Sequence, residues 1–245
     1  MQADLARLPT RLRACAPSQR RLPAFLAVIA GMVDLTGFLN LGNIFTAHIT
    51  GNLVVLASAI VRGGPLNVAQ ALAIPTFMLT VAAVWLSAPT EAARDGALTR
   101  RLLVVQFLLL AAVSVLCGVT RPSTGPHGLM AGIAVLIAAS AMACQNALLH
   151  MAVAGAPSTA VMTGNLVNAV LSLLDTLSPD PSTRESARQR VSKIPPLLVC
   201  FFLGCVAAAA AVSLVGDLAW FLPAALAGLA AAFRWTTDTR QSRSV

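Results

Sequence analysis

Asp34 lies a dozen residues into an apolar run that starts at Leu22, so a carboxylate stands near the middle of a stretch otherwise free of charge. Such a placement costs about 2.5–3.5 kcal/mol on insertion scales, so the group must face a partner or a cavity. The chemistry open to it is the binding of a proton or a cation. Histidine titrates near neutral pH, which makes His48 a candidate proton relay. Its place near a span end also fits a plain interfacial residue. Two residues later comes Thr50-Gly51-Asn52-Leu53-Val54, and the same pentapeptide returns at Thr163–Val167, 113 residues on. Threonine caps helix starts, glycine permits an unwound turn, and an asparagine amide both donates and accepts. If Thr50, Gly51 and Asn52, and likewise Thr163, Gly164 and Asn165, open helices inside a membrane, their free N–H groups form a site for a polar or anionic solute. Gln145 and Asn146 are two further amides in apolar sequence. Each of these groups also has a purely structural reading, as a bond between helices.

The elements that must position them are membrane helices. The chain is 57% hydrophobic and 11% charged, with a mean hydropathy of +0.79, against about 25% charged in soluble domains. Its runs are continuously apolar rather than alternating, which argues against a transmembrane barrel and predicts an all-α polytopic fold. Windows of about 19 residues give eight spans: 22–41, 45–61, 67–88, 102–119, 128–150, 159–177, 195–215 and 218–233. Six and seven are the alternative counts, because the short second, sixth and eighth spans also fit re-entrant segments. The basic stretch before Ala24–Ala30 looks like a signal peptide, but Asp34 interrupts it and no cleavage site follows, so a retained first span is expected.

With the N-terminus inside, this alternation puts 14 of the 17 Lys and Arg residues on the cytoplasmic side and leaves Arg94, Arg100 and Arg101 outside. The expected location is the bacterial cytoplasmic (inner) membrane, with both termini cytoplasmic. The net charge of +8 sits in tails and loops, with no basic stripe interleaved with aromatics, so no nucleic-acid partner is expected.

The repeat extends beyond the pentapeptide. Asp34 precedes Asn52 by 18 residues and Asn146 precedes Asn165 by 19, while Ile74-Pro75 corresponds to Ile194-Pro195. This divides the chain into a basic N-tail (1–21), a first membrane repeat (22–119), a connecting loop (120–127), a second repeat (128–233) and a C-tail (234–245). Four spans per half predict parallel pseudo-repeats; three per half would make them inverted.

Gly31-Met32-Val33-Asp34, Thr50-Gly51-Asn52-Leu53 and Gln145-Asn146 followed by Thr163-Gly164-Asn165-Leu166 resemble the YoaK-like family of small bacterial multi-pass membrane proteins, a domain of unknown function. The resemblance runs from about Leu22 to Phe233. It implies an inner-membrane protein and no particular substrate. Walker A, Gly-x-Ser-x-Gly and His-Glu-x-x-His motifs are missing, so neither an enzyme nor a cofactor is expected. The five cysteines form no CxxC pair and no metal-ligand spacing. The residues favour a secondary permease for a small polar or anionic solute. Asp34 and His48 would couple it to a proton or cation, with Thr50, Gly51, Asn52, Gln145, Asn146, Thr163, Gly164 and Asn165 binding solute. A non-transporting scaffold, sensor or accessory subunit is the alternative. Besides the lipid bilayer, a second copy packed through the Ala207–Ala211 run is left open as a partner.

Overall fold

Backbone N–H and C=O groups in a long apolar run find no water, so the chain satisfies them internally as helix. A computed structural model describes residues 17–63, 67–88, 96–153 and 157–241, and every regular element among them is helical. In order they are α1 (Pro17–Asn40), α2 (Ile49–Val61), α3 (Val68–Ser87), α4 (Gly96–Thr120), α5 (Leu129–Met151), α6 (Met162–Asp175), α7 (Pro181–Val191), α8 (Ile194–Val215) and α9 (Phe221–Gln241). Short 3-10 turns at Pro122–Thr124 and Gly216–Trp220 lead into α5 and α9. Pro195 and Pro196 fall in the first turn of α8, where a missing N–H costs no helical bond. α7 is polar, and Asp180 caps it by accepting from Ser182 N and Thr183 N.

About eight spans were expected, with six or seven as alternatives, and five stretches among the described residues are long and apolar enough to cross a membrane. They are Leu22–Asn40, Val68–Ser87, Ala97–Thr120, Leu129–Met151 and Pro181–Phe233, the last holding both α8 and α9. α2 and α6 have 13 and 14 residues. At 1.5 Å per residue each is about 20 Å long, short of a hydrocarbon core of about 30 Å.

Small residues bring the helices together. A Cβ on Gly31 would lie 2.2 Å from the Phe201 carbonyl oxygen, and one on Gly204 would lie 2.2 Å from that of Val28, so α1 and α8 touch backbone to backbone. α3 and α5 meet at Ala69 against Gly132 and at Thr80, whose hydroxyl donates to Ser140 Oγ at 3.3 Å. α4 and α9 pack reciprocally, with Gly118 against Phe221 and Gly228 against Phe107. α5 is lined with buried alanines, including Ala134, Ala138 and Ala141. Close approach through small side chains drives helix association where lipid offers no hydrophobic gain. Large apolar side chains such as Leu79, Trp85 and Leu214 point outward instead.

The helix directions differ from the parallel relation expected between the halves. Gly42 after α1, Asn67 before α3 and Pro126-His127 before α5 cluster at one end of the bundle. Ser123 donates to Asp217 and Ser114 to the Trp220 carbonyl, which brings the end of α8 and the start of α9 to that same end. We call it the loop end and the opposite one the basic end. α1 therefore runs toward the loop end and α5 away from it. The pairs α3/α8 and α4/α9 oppose each other in the same way.

Candidate functional site

After Asn40 the chain reverses through Gly42 and Asn43, both left-handed (φ 81° and 61°). A side chain on Gly42 would meet the Pro126 carbonyl at 3.0 Å and Asn67 Nδ2 at 3.1 Å. Residues 44–48 then fold back along α1 to the level of Asp34, six residues and about 9 Å before the helix end. Asp34 Oδ1 accepts from Thr46 N at 2.8 Å and Ala47 N at 2.6 Å, with Thr46 Oγ1 at 3.4 Å. Its Oδ2 faces His48 Nδ1 at 2.5 Å. Asp34 is 4% exposed, and a carboxylate so buried is tolerated because donors replace its water. The His48 side chain is 24% exposed and stands edge-on to Phe201, with ring centroids 5.1 Å apart.

Asn52, fully buried in the first turn of α2, closes this unit. Its Oδ1 accepts from Phe45 N at 2.9 Å and its Nδ2 donates to Phe45 O at 2.7 Å. Gly51 lies against the Phe45 ring, 2.8 Å from where a Cβ would sit. His48 and not Thr50 occupies the N-cap position, and Thr50 is exposed.

The second unit repeats the bracing with neutral groups. Asn165 Nδ2 donates to Ser158 O at 2.7 Å, again seven residues back. Asn146 Oδ1 accepts from Ser158 Oγ and Thr159 Oγ1, both at 3.4 Å, 12 and 13 residues on, the same spacing as Asp34 to Thr46 and Ala47. Gly164 packs on Val161, the N-cap position belongs to Val161, and Thr163 is exposed. Gln145 Nε2 donates to Leu26 O at 3.0 Å and Thr159 Oγ1 at 3.1 Å, and its Oε1 accepts from Gln106 Nε2 at 2.7 Å. Gln106, a fully buried amide in an apolar run, escaped the sequence reading although Gln145 was flagged on the same signal.

Asp34, His48 and Asn52 thus form one cluster, and Gln145, Asn146 and Asn165 another. Leu26 and Asp34 are eight residues apart on α1, which separates the two loop tips by about 12 Å along the bundle. The Asp34 cluster opens on a cleft of about 330 Å³ lined by Asp34, Leu35, Phe38, Phe45, His48, Phe201 and Cys205. Among the described residues no three His, Cys, Asp or Glu side chains come together as a metal site, and Cys117, Cys144, Cys200 and Cys205 are free thiols. Cys15 lies outside the described residues.

A stretch of 39 residues is 51% identical to the UPF0700 transmembrane protein YoaK of Bacillus subtilis (strain 168), covering 16% of this chain and 17% of that protein. No solved structure matches the chain. A family described as a protein of unknown function, DUF1275, matches residues 22–233 by its profile, and the chain belongs to that family.

Proposed function

We propose that the protein is a small permease of the bacterial inner membrane, built from two inverted halves, in which Asp34 and His48 exchange a proton as a small polar solute passes. In each half three helices cross and one is re-entrant. The re-entrant reading of α2 rests on reach: it starts about 9 Å inside the bundle, and the six residues from Val61 to Asn67 span at most about 21 Å, too little to return from the far face. α6 ends near the start of α8, tied there by Arg190, which bonds Asp175 at 2.7 Å and Ser172 at 3.1 Å.

Charge supports this arrangement. With six crossings, Arg62 and Arg121 are the two basic residues at the loop end, and the other 15 of the 17 fall in segments joined at the basic end. Arg94, Arg100 and Arg101 join that majority, so the violation in the eight-span alternation disappears. The basic end is then cytoplasmic, with both termini on it. Loops that enter from opposite faces of an inverted duplication build solute pathways near mid-membrane.

The observation that carries the transport reading is a buried carboxylate–imidazole pair at the base of an open cleft, with no charged counterpart in the second half. The reading involves no catalytic step. Thr50 and Thr163 face outward, and both motif asparagines are spent on their own loops, so the pathway belongs to Asp34, His48 and the Gln145 cluster. The test is proton movement into proteoliposomes carrying a lumenal pH dye, challenged with panels of amines, amino acids and sugars. At least one panel member should evoke flux in the wild type and none in inserted, folded D34N. Equal flux in both refutes the reading. A silent wild type whose D34N variant merely melts earlier favours the scaffold alternative, which the braced asparagines also fit.

A further inference from the structure

We infer that the Asp34 cleft binds a monovalent organic ammonium with a compact aromatic or aliphatic body, which takes the place that the His48 imidazole holds beside the carboxylate. This rests on the permease reading and names its substrate class. Besides Asp34 and His48, the cleft is lined by three phenylalanines, Leu35 and Cys205. Phe38 and Phe45 meet with centroids 5.1 Å apart and a 33° tilt, and Phe201 lines the same cleft. A carboxylate among aromatic faces recognises a cation, since π faces and anion attract the same charge.

The other solute classes fare worse. An anion would meet the carboxylate and the negative ring faces, while the two backbone N–H groups nearby already serve Oδ1. A sugar would find almost no hydrogen-bonding partner on walls made of Leu35, the three phenylalanines and Cys205. The volume, about 330 Å³, lies at the lower end of small-molecule sites, about 300–1,000 Å³, and suits a one-ring amine.

His48 already imitates the ligand. Its Nδ1 faces Asp34 Oδ2 while its ring stands T-shaped to Phe201, so a doubly protonated imidazole is an internal cation in a cation site. An incoming ammonium pairs with Oδ2, the imidazole turns toward the open side, and without its partner it passes its extra proton to water. One cation enters, one proton leaves, and the charge of the cleft is unchanged. The other groups facing the pair are the Thr46 hydroxyl from the loop and the Cys205 thiol from α8, which donates to Gly31 O at 3.5 Å. No Lys, Arg or Glu among the described residues lines the cleft. In the second unit Asn146 replaces the acid, so the described residues form one such site.

The test is calorimetric titration of the full-length protein in nanodiscs with benzylammonium, and with benzyl alcohol and benzoate as neutral and anionic isosteres, in two buffers of different ionisation heat. Benzylammonium should bind and release about one proton per ligand, and benzoate should not bind. H48A should bind benzylammonium with no proton release, and F201A about 3- to 30-fold more weakly. D34N should not bind it. Benzoate binding at least as tightly, wild-type protein failing to bind benzylammonium, or H48A releasing the same proton each overturn the inference. If benzylammonium fails while D34N still abolishes flux evoked by another solute, the substrate class is wrong and the permease stands. If D34N leaves all flux intact, the permease reading falls with it.

Discussion

Replacing Asn52 by alanine should destabilise the protein more than the same change at Asn165, although the two residues occupy identical pentapeptides. Asn52 satisfies both the N–H and the carbonyl of Phe45, whereas Asn165 makes one bond, to Ser158 O. An orphaned buried backbone group costs about 1–3 kcal/mol, so N52A, which orphans two, loses about 2–6 kcal/mol and N165A, which orphans one, about 1–3. Alanine returns up to about 0.7 kcal/mol of helix propensity at either site. Averages of about 0.6 kcal/mol per interhelical bond in a membrane bundle place these figures at the upper end, but the Phe45 groups sit in a tight loop with no second partner to find. The expected net cost is about 1.5–5 kcal/mol for N52A and about 0.5–2 for N165A. Reversible unfolding in mixed detergent micelles, followed by circular dichroism, measures both. A cost for N165A equal to or above that for N52A would refute the idea that these asparagines act by bracing their own loops.

Three further outcomes follow from the packing, the topology and one cap. G31A and G204A each put a methyl 2.2 Å from a backbone oxygen and should cost about 1–3 kcal/mol in the same unfolding assay, while G125A, with nothing within 4 Å of its Cβ, should be neutral. In a cysteine-free background, single cysteines at positions 62 and 94 should react with an impermeant maleimide from opposite sides of intact cells, 62 from outside; reaction of 94 from outside restores the eight-span alternation. Hydrogen bonds from the Ser182 and Thr183 side chains, then from their backbone N–H groups, hold the Asp180 carboxyl well below the usual carboxylate range. That depressed value means its support of α7 is complete above the unfolded value near 3.8 and fades as pH falls toward the folded one. The protection of amides in the first turn of α7, relative to their intrinsic exchange at each pH, should fall on acidification in the wild type and be low throughout in D180A; an unchanged acid dependence in D180A would show another group responsible.

The helical membrane class was legible because composition alone leaves the backbone no other solution. The correspondence of Asp34 with Asn146 was also legible, shifted by one residue, and the same spacing reappears in their bonds to residues 12 and 13 further on. Hydropathy windows could not see that Phe45–Val61 is a folded-back loop followed by a 13-residue helix, because Ile44, Phe45 and Ala47 score as apolar whether they cross a bilayer or line a tip inside it. That single ambiguity removed the even count of crossings per half on which the expected parallel relation rested. His48 looked interfacial for the same reason: its pairing with Asp34 depends on the left-handed reversal at Gly42 and Asn43, which no periodicity announces. Gln106 stayed hidden because its partner, Gln145, is 39 residues away on another helix.

The two loop tips differ in how firmly each is held, and that difference bears on how such a permease would move. Asp34 gathers two backbone N–H groups at 2.6–2.8 Å and an imidazole, and charge-assisted bonds of this kind are roughly twice as strong as neutral ones. Asn146 holds its loop by two hydroxyls at 3.4 Å, near the limit of hydrogen bonding. Protonation of Asp34, or a cation that displaces His48, weakens the first set without touching the second. Under the permease reading the outer tip is therefore the one whose release depends on what occupies the cleft, while the inner tip, held also by Asn165 at Ser158 O and Gln145 at Thr159 Oγ1, does not respond to that charge. Coupling then needs only one acid. A second carboxylate at position 146 would tie both tips to the same charge state and remove the difference between the two faces that directional exchange requires.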